Sequence, residues 1–173
     1  VIATATTGTN HIDVGFAKEN GVVVLSLKNE VDFLEEIHAT AEHTWALILS
    51  LLRKIPFAFQ SVLKNEWDRD SYKSHELNGA TLGIVGLGRI GSKVAQYGDA
   101  FGMNVIAYTE KYNKKHPFIK LLDNLETLLK LSDIVTIHVP LYTRTEKLIG
   151  KSEFNKMKKN ALFINTSRGE VVD

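Results

Sequence analysis

Strand-like and helix-like patterns of apolar residues alternate along almost the whole chain. The runs VIATAT, VVVLSL, ATLGIVGLG, MNVIAYT, DIVTIHVP and ALFINTS read as strands. The segments between them place apolar residues at helical spacing, as in HIDVGFAKENG and RIGSKVAQYGDAFG. Because the strands are apolar at consecutive positions, both of their faces are expected to be covered. The pattern predicts an α/β fold, a doubly wound parallel sheet with helices on both faces.

A long amphipathic helix is predicted between residues 32 and 55, followed by a second helix. Apolar residues recur at spacings of three and four, at Ile37, Ala41, Trp45, Ile48, Leu52 and Ile55. Pro56 ends this helix or begins the next one. Phe57, Phe59 and Trp67 are too many aromatic side chains for so short a second helix to bury alone. We therefore expect a packing arm or a subunit interface there.

Composition narrows the classes of function. Lys and Arg number 21 against 20 Asp and Glu, so the near-neutral charge gives no electrostatic basis for a nucleic-acid partner. The lysines of KLIGKSEFNKMKK are interleaved with apolar residues at helical spacing, which is typical of a solvated helix face. No apolar window is long enough to cross a bilayer, and the first residues lack the features of a secretory signal. We expect a cytoplasmic protein without a membrane partner.

The chain contains no cysteine. This excludes disulfides, thiolate metal sites and cysteine nucleophiles, and no metal site is expected. Redox chemistry would therefore require a bound cofactor. A length of 173 residues with 44% hydrophobic content is enough for one ordinary domain, or for one domain and part of another.

Three glycines with G-x-G-x-x-G spacing stand between a predicted strand and a predicted helix. They are Gly86, Gly88 and Gly91 in GIVGLGRIGSKVA. In this context the first glycine makes a tight turn, the second lets the backbone approach a pyrophosphate, and the third permits close helix packing. The N–H groups of Arg89 and Ile90 would face the phosphates. The alternative is a glycine turn with no ligand, but the flanking elements favour a dinucleotide site in a Rossmann-type sheet.

The ribose end of this predicted site departs from the usual pattern. An acidic residue is expected about 20 residues beyond the motif, at the end of the next strand. Thr109 occupies that place, and the alternation of strand side chains would turn Glu110 away from the pocket. A 2′-phosphate would meet no repelling charge at Thr109 and would have Lys111 nearby. NAD is the expected cofactor, and NADP is the alternative.

Five blocks of the sequence resemble, in the same order, blocks of the D-isomer-specific 2-hydroxyacid dehydrogenases. They are TGTNHID, AEHTWALILSLLR, TLGIVGLGRIG, SDIVTIHVPLYTRT and MKKNALFINTSRGEVVD. That family includes phosphoglycerate, glycerate, formate and D-lactate dehydrogenases, in which a nucleotide domain is inserted into a flavodoxin-like substrate domain. The resemblance implies that residues 1–28 are the C-terminal part of the substrate domain, present as a βαβ remnant. Residues 29–173 would be an incomplete dinucleotide-binding domain.

The resemblance also implies residues for the site. Cofactor positions are Gly86, Leu87, Gly88, Arg89, Ile90, Gly91, Thr109, Val139, Pro140, Thr145, Thr166, Ser167 and Arg168. Positions for the substrate carboxylate are Thr7, Gly8, Thr9 and Asn10. Taken alone, Pro140 would be a strand terminator and His138 a core or edge histidine. The partner is a small 2-hydroxy or 2-oxo acid, and the helices around Pro56–Trp67 match the dimerisation arm of the family, which implies a homodimer.

Arg168 is the candidate catalytic residue. Reduction of a 2-oxo acid builds negative charge on the 2-oxo oxygen, and a guanidinium at the end of a strand can bind the carboxylate and stabilise that oxygen in one planar fork. The alternative is a surface arginine that caps a strand. The family's general acid/base is a histidine oriented by a glutamate, and both follow the arginine in sequence. All six histidines here precede Arg168, so we expect a chain truncated at both ends and inactive by itself.

Two other functions compete with this interpretation. The same family contains corepressors that sense NAD(H) through the same fold, and fold alone does not decide between them. A downstream glutamate and histidine would favour catalysis. A third hypothesis, an α/β domain with no cofactor, predicts no thermal shift with either dinucleotide.

Overall fold

A computed structural model of the protein describes residues 1–110 and 116–173 and divides the chain into two compact units. The units are Val1–His38 and Ala39–Asp173. The first unit extends past residue 28, where the sequence analysis places the domain boundary, because a further helix belongs to it. That these units are parts of a substrate domain and a dinucleotide-binding domain stays a prediction.

The first unit is built around a βαβ motif. Its elements are β1 (Ile2–Ala3), α1 (Val14–Glu19), β2 (Val24–Leu25), a 3₁₀ turn (Leu27–Asn29) and α2 (Val31–Glu35). The two strands pair in parallel, and Asp13 caps α1 by accepting a hydrogen bond from the Phe16 N–H at 2.9 Å. The expectation of a buried second strand is wrong, since Leu25 is exposed. Within this unit, two strands of two residues each offer too little surface for a helix layer to cover.

The second unit contains a parallel sheet with helices on both sides. Its helices are α3 (Ala39–Leu52), α4 (Ile55–Leu63), α5 (Arg89–Ala100), α6 (Leu125–Leu131) and α7 (Lys151–Phe154), with 3₁₀ turns at Asp70–Tyr72 and Gly169–Val171. Its strands are β3 (Thr81–Val85), β4 (Asn104–Tyr108), β5 (Ile119–Leu121), β6 (Ile134–Ile137) and β7 (Leu162–Asn165). The order is β5-β4-β3-β6-β7, and every neighbouring pair is parallel. This is the strand order of a Rossmann-type nucleotide-binding sheet, which confirms the predicted fold.

Alternate strand residues of this sheet enter two hydrophobic cores. Leu82 and Ile84 of β3 join the core formed with α3 and α5, whereas Val85 joins the core formed with α6. Trp45 of α3 closes the first core, and its indole N–H donates to the Val94 carbonyl at 3.2 Å. The second core contains Leu128 and Leu129 of α6, among others. The prediction that both faces of the sheet are covered is confirmed.

The predicted continuous helix from residue 32 to residue 55 is wrong. The chain leaves α2 after Glu35 and enters α3 at Ala39. The break falls at the boundary between the two compact units, which lies between His38 and Ala39. The apolar stripe itself holds within α3, because Ala41, Trp45 and Ile48 are buried.

Apolar side chains remain exposed along α4 and just beyond it. Phe57, Phe59, Val62 and Leu63 lie on the surface, and Trp67 is 90% exposed. This agrees with the expectation of too many aromatic residues for a short helix. In the described part of the chain no single helix has the length and apolarity to cross a membrane; the segments Val31–Leu52 and Ile55–Leu63, bent by 62°, pass that test only together and by length and composition alone.

Candidate dinucleotide site

The carboxyl ends of four strands bring three of the predicted cofactor residues, Thr109, Gly86 and Thr166, into one row. The sheet register pairs Tyr108 with Val85, Val85 with Ile137, and Ile137 with Asn165. The next residue along each of these strands is therefore, in spatial order, Thr109, Gly86, His138 and Thr166. The sheet turns from one connection direction to the other between β3 and β6, which is where nucleotides bind in folds of this class.

Gly86 makes the tight turn after β3. Its φ of +94° lies in the region that glycine adopts readily, and its N–H donates to the Tyr108 carbonyl at 2.9 Å. A Cβ atom at this position would lie 2.8 Å from the His138 carbonyl and from Cγ1 of Val139. The end of β6 is thus packed against the turn, and a side chain would push the two strand ends apart.

Gly91 and Gly88 differ sharply in what surrounds them. A Cβ atom at Gly91 would overlap the Gly86 carbonyl oxygen and lie 3.3 Å from Cγ2 of Ile84, so Gly91 lets α5 seat against β3. A Cβ atom at Gly88 would meet no protein atom within 4 Å. Gly88 is also the N-cap of α5 and provides no side-chain cap. Packing within the chain therefore accounts for glycine at two of the three positions, Gly86 and Gly91. The open space at Gly88 is where a ligand would approach.

The start of α5 fits a diphosphate. The first N–H groups of a helix have no acceptor within the helix, and they lie at the positive end of its dipole. In α5 the N–H groups of Ile90 and Gly91 stand at these positions. Leu87 is almost fully buried in the core, so it presents backbone rather than side chain to the ligand. The residues present are thus suited to hold the phosphates of a dinucleotide.

A groove of ≈ 460 Å³ runs past this turn. Its lining includes the predicted residues Gly86, Leu87, Gly88, Thr109, Val139, Pro140 and Thr145. It also includes residues that the sequence analysis did not assign to the site, namely Val85, Tyr108, Tyr142, Arg144 and Leu148. Val85, Tyr142 and Arg144 fall within the family-like blocks, but nothing in those blocks assigns them to the site, and the strand ends and loop become neighbours only when the sheet forms.

Thr145 supports the loop that forms one wall of the groove. Its side chain is buried, and its hydroxyl donates to the Pro140 carbonyl at 2.6 Å and accepts from the Tyr142 N–H at 2.9 Å. The backbone N–H of Thr145 donates to the Tyr142 carbonyl at 2.8 Å. These bonds fix the backbone between Pro140 and Thr145, including the position from which Arg144 projects.

Glu110 lines the groove, so the expectation that it turns away is wrong. Strand β4 ends at Tyr108, and side-chain alternation no longer applies two residues later. The Glu110 carboxylate lies 3.6 Å from Nη1 of Arg144, and the two side chains are 49% and 78% exposed. Lys111, proposed as a neighbour of a 2′-phosphate, lies outside the described residues.

His138 lies in the groove wall as a neutral side chain. Its Nε2 is 2.9 Å from Oγ1 of Thr136, and burial lowers the pKa of His138 to about 4. At neutral pH it therefore carries no charge and holds no proton that it can readily give up. The position agrees with the expected core or edge histidine and not with a general acid/base.

The loop after β7 is held by Asn165. Its side-chain oxygen accepts from the Ser167 N–H at 2.9 Å and from the Ser167 hydroxyl at 2.7 Å, and its side-chain nitrogen donates to the Arg168 carbonyl at 2.8 Å. The guanidinium of Arg168 donates to the Ser167 carbonyl at 2.8 Å. The sequence analysis did not single out Asn165, although an asparagine two residues before a serine is a turn signal.

Thr166 is tied to α3. Its Oγ1 lies 2.9 Å from Oγ1 of Thr44, which is fully buried and donates to the Thr40 carbonyl at 2.8 Å. The nicotinamide end of the predicted site is thus anchored on a helix as well as on β7. Thr44 was not predicted, because a threonine within a helical stripe carries no signal of its partner.

The residues predicted for the substrate carboxylate lie in the first unit, in the loop after β1. The Thr6 hydroxyl donates to the Gly8 carbonyl at 2.7 Å, and the Ile12 N–H donates to the Thr9 carbonyl at 2.9 Å. These bonds organise a turn that contains Thr7, Gly8, Thr9 and Asn10. Their assignment to a carboxylate stays a prediction.

The sequence matches one protein family over most of its length. The model of the family described as "D-isomer specific 2-hydroxyacid dehydrogenase, NAD binding domain" matches residues 45–173. The D-3-phosphoglycerate dehydrogenase of Methanocaldococcus jannaschii is 39% identical over 176 residues, which cover 100% of this chain and 33% of that protein. The glyoxylate reductase of Aeropyrum pernix is 43% identical over 184 residues, covering 100% of this chain and 53% of that protein. The chain thus spans between a third and about half of these relatives.

Solved structures give the same result. The D-lactate dehydrogenase of Aquifex aeolicus, complexed with NAD and lactic acid, superposes with a TM-score of 0.83 at 36% identity, over 99% of this chain and 51% of that chain. An acyclic imino acid reductase in complex with NADPH and D-Arg superposes with a TM-score of 0.82 at 32% identity, over 99% and 54% of the two chains. The chain therefore belongs to the D-isomer-specific 2-hydroxyacid dehydrogenase family, and residues 45–173 match the NAD-binding domain of that family.

Proposed function

We propose that this chain binds a nicotinamide dinucleotide in the groove at the carboxyl ends of β3, β4 and β6, as the cofactor-binding part of a dehydrogenase. The reaction is hydride transfer between the nicotinamide and C2 of a D-2-hydroxy acid or its 2-oxo acid. The observation that carries the proposal is the contrast among the three glycines. The protein's own packing occupies the space at Gly86 and Gly91, whereas the space at Gly88 is open beside an uncapped helix start.

The row of strand ends orients the ligand. The N–H groups of Arg89 and Ile90 hold the diphosphate, the adenosine extends toward Thr109, and the nicotinamide extends toward Thr166 and Arg168. We propose NAD as the cofactor, in keeping with the family model and with the NAD-bound D-lactate dehydrogenase. When bound, the cofactor supplies the hydride acceptor or donor.

Arg168 binds the carboxylate of the acid and stabilises charge on the oxygen at C2. To do so its guanidinium exchanges the Ser167 carbonyl, now at 2.8 Å, for a carboxylate. This exchange is favourable because a carboxylate carries a negative charge and can accept two parallel N–H bonds from the planar guanidinium, whereas the carbonyl is neutral. Asn165 holds the loop in place while the side chain of Arg168 changes partner. The guanidinium cannot act as a base, so we assign no proton transfer to it.

Two further contacts are proposed, one with the substrate and one with a second copy of the chain. The loop Thr7–Asn10 contacts the carboxylate of the acid through its backbone, and a homodimer forms through the exposed side chains of α4. The surface of α4 and the residues after it supports this second point, because Phe57, Phe59 and Trp67 are each exposed. Single exposed apolar residues are common on proteins, but three exposed aromatic side chains within eleven residues are more typical of an interface.

Calorimetric titration of the folded chain with NADH and with NADPH tests the cofactor site, and ADP-ribose tests the diphosphate contact without the nicotinamide. We expect saturable binding of NADH and weaker binding of ADP-ribose. A chain that is folded by circular dichroism but gives no binding heat with any of the three at millimolar concentration would refute the proposal.

The role of Arg168 is tested on the NADH complex. We expect 2-oxo acids such as glyoxylate and hydroxypyruvate to change the fluorescence of bound NADH in the native chain. In Arg168→Lys the charge remains but the planar fork is lost, so the acid should bind at least about tenfold more weakly while NADH affinity changes little. Equal acid binding by the two proteins would remove Arg168 from the proposal.

A further inference from the structure

We infer that Arg144 recognises the 2′ position of the adenosine ribose, and that its ion pair with Glu110 sets how well NADPH competes with NADH. This inference rests on the proposed dinucleotide site. It concerns a residue that neither the glycine motif nor the strand after it identifies.

The two side chains meet across the adenosine end of the groove. Glu110 follows β4, and Arg144 lies in the loop after β6; both line the groove that also contains Thr109. Their charged atoms are 3.6 Å apart, beyond ordinary hydrogen-bond length, and both side chains are largely exposed. An exposed ion pair of this kind contributes little to stability, because solvent and salt screen it. A ligand with a stronger acceptor can therefore take the guanidinium from Glu110.

Arg144 is a flexible side chain on a fixed support. The buried Thr145 hydroxyl and its bonds to Pro140 and Tyr142 hold the backbone on both sides of Arg144. The Arg144 side chain is 78% exposed, and in the described part of the chain its ion pair is with the Glu110 carboxylate at 3.6 Å. It can therefore move within the mouth of the groove without rearrangement of the loop.

The chemistry of the two cofactors differs at this place. NADPH carries a 2′-phosphate of about −1.5 to −2 charge, and a guanidinium can bind it through two parallel N–H bonds. NADH carries a neutral hydroxyl, which gains little from Arg144. At the position where a carboxylate usually accepts from the ribose hydroxyls, this chain has Thr109, which brings no negative charge.

Glu110 acts against Arg144 in two ways. Its carboxylate repels a 2′-phosphate, and it also competes for the guanidinium. Because the pair is exposed, both effects depend on ionic strength. The chain therefore favours NADH while Arg144 is paired with Glu110. It binds NADPH when Arg144 leaves Glu110 and contacts the 2′-phosphate instead.

The test compares Arg144→Gln and Glu110→Gln with the unchanged chain, and Arg69→Gln is the matched control. Arg69 is also exposed and paired with one carboxylate, Asp70, but it lies outside the groove. Calorimetry gives dissociation constants for NADH and NADPH at low and high salt. Adenosine 5′-phosphate and adenosine 2′,5′-bisphosphate provide the same comparison without the nicotinamide.

We expect Arg144→Gln to weaken NADPH and the bisphosphate by about tenfold or more and NADH by less than about twofold. Glu110→Gln should strengthen NADPH severalfold, and both effects should shrink at high salt. Arg69→Gln should change neither cofactor.

Two different failures are distinguishable. If Arg144→Gln leaves NADPH unchanged, or weakens both cofactors equally, the inference is wrong while the dinucleotide site stands. If the unchanged chain binds none of the four nucleotides, the proposed function fails and the inference fails with it. If only Glu110→Gln binds NADPH measurably, the inference holds with Glu110 as the dominant member of the pair.

Discussion

Replacement of Gly88 by alanine should separate ligand binding from folding. The added methyl group meets no protein atom within 4 Å, and the Gly88 backbone (φ −86°, ψ −161°) lies in a region open to any residue. The free energy of unfolding should therefore change by less than about 1 kcal/mol. Alanine restricts the unfolded chain more than glycine does, which stabilises the fold, but alanine is a poorer N-cap residue than glycine, which destabilises it. The same methyl group would stand where the diphosphate approaches the backbone. We expect NADH to bind at least about tenfold more weakly.

Gly91→Ala is the matched control, with the opposite signature. Its methyl group would overlap the Gly86 carbonyl oxygen, so α5 must move away from β3. Overpacking of this kind costs about 1–3 kcal/mol of stability. Urea unfolding followed by circular dichroism measures the first effect for both variants, and calorimetric titration with NADH measures the second at a temperature where all proteins are folded.

Three outcomes would contradict these expectations. If Gly88→Ala binds NADH as well as the unchanged chain does, the diphosphate does not lie at the start of α5. If Gly88→Ala loses more than about 2 kcal/mol of stability, beyond the cost of a poorer N-cap residue, the space at Gly88 is not open in the folded chain. A Gly91→Ala variant of undiminished stability would show that α5 is not seated tightly on the glycine turn.

Three further predictions concern the fold and its surface. Burial lowers the pKa of His138 from 6.5 to about 4. As the pH falls from 6.5 to about 4, this histidine becomes protonated in the unfolded chain but not in the folded chain, so the free energy of unfolding should fall by up to about 3 kcal/mol. His138→Gln should flatten this dependence in urea titrations at a series of pH values, and an unchanged slope would contradict the assignment. Ile48→Ala should lose about 2–5 kcal/mol in the same assay, because Ile48 is fully buried between helix and sheet; a loss below about 1 kcal/mol would contradict that packing. Phe59→Glu should leave the melting temperature within a few degrees, because Phe59 is exposed, but should shift sedimentation from dimer toward monomer; a native chain that sediments as a monomer would refute the proposed homodimer.

Much of the fold could be predicted from local pattern. The strands of the sheet core are apolar at consecutive positions, and the glycines of the motif stand where a strand meets a helix, so both signals come from neighbouring residues. Strand β5 was missed because it has only three residues, Ile119–Leu121, and its apolar pattern is too short to stand out beside a lysine-rich stretch. The break between α2 and α3 was missed because the apolar stripe continues through it. The spacing of apolar residues does not show where a helix ends if the same spacing continues beyond that end.

The site was predictable where chemistry depends on residue type and less so where it depends on tertiary position. The prediction that the Glu110 side chain points away from the groove was wrong, because it extended the alternation of strand side chains past the end of β4. The pairing of Glu110 with Arg144 joins two loops that only the sheet brings together. Thr145 and Asn165 act through bonds to the backbone, and Thr44 acts through a single hydroxyl from another element. Such supporting roles have weak sequence signals because many residues in similar settings make no such contact.

The bond between Thr44 and Thr166 has a consequence for hydrogen ordering. A hydroxyl has one hydrogen, and that of Thr44 is directed at the Thr40 carbonyl at 2.8 Å. In the 2.9 Å contact with Thr166, Thr44 is therefore the acceptor, and Thr166 gives up its own hydrogen. The Thr166 hydroxyl oxygen is then left with lone pairs only. A carboxamide that docks beside it must present its NH₂ rather than its oxygen, which would select one of the two flipped orientations of that group.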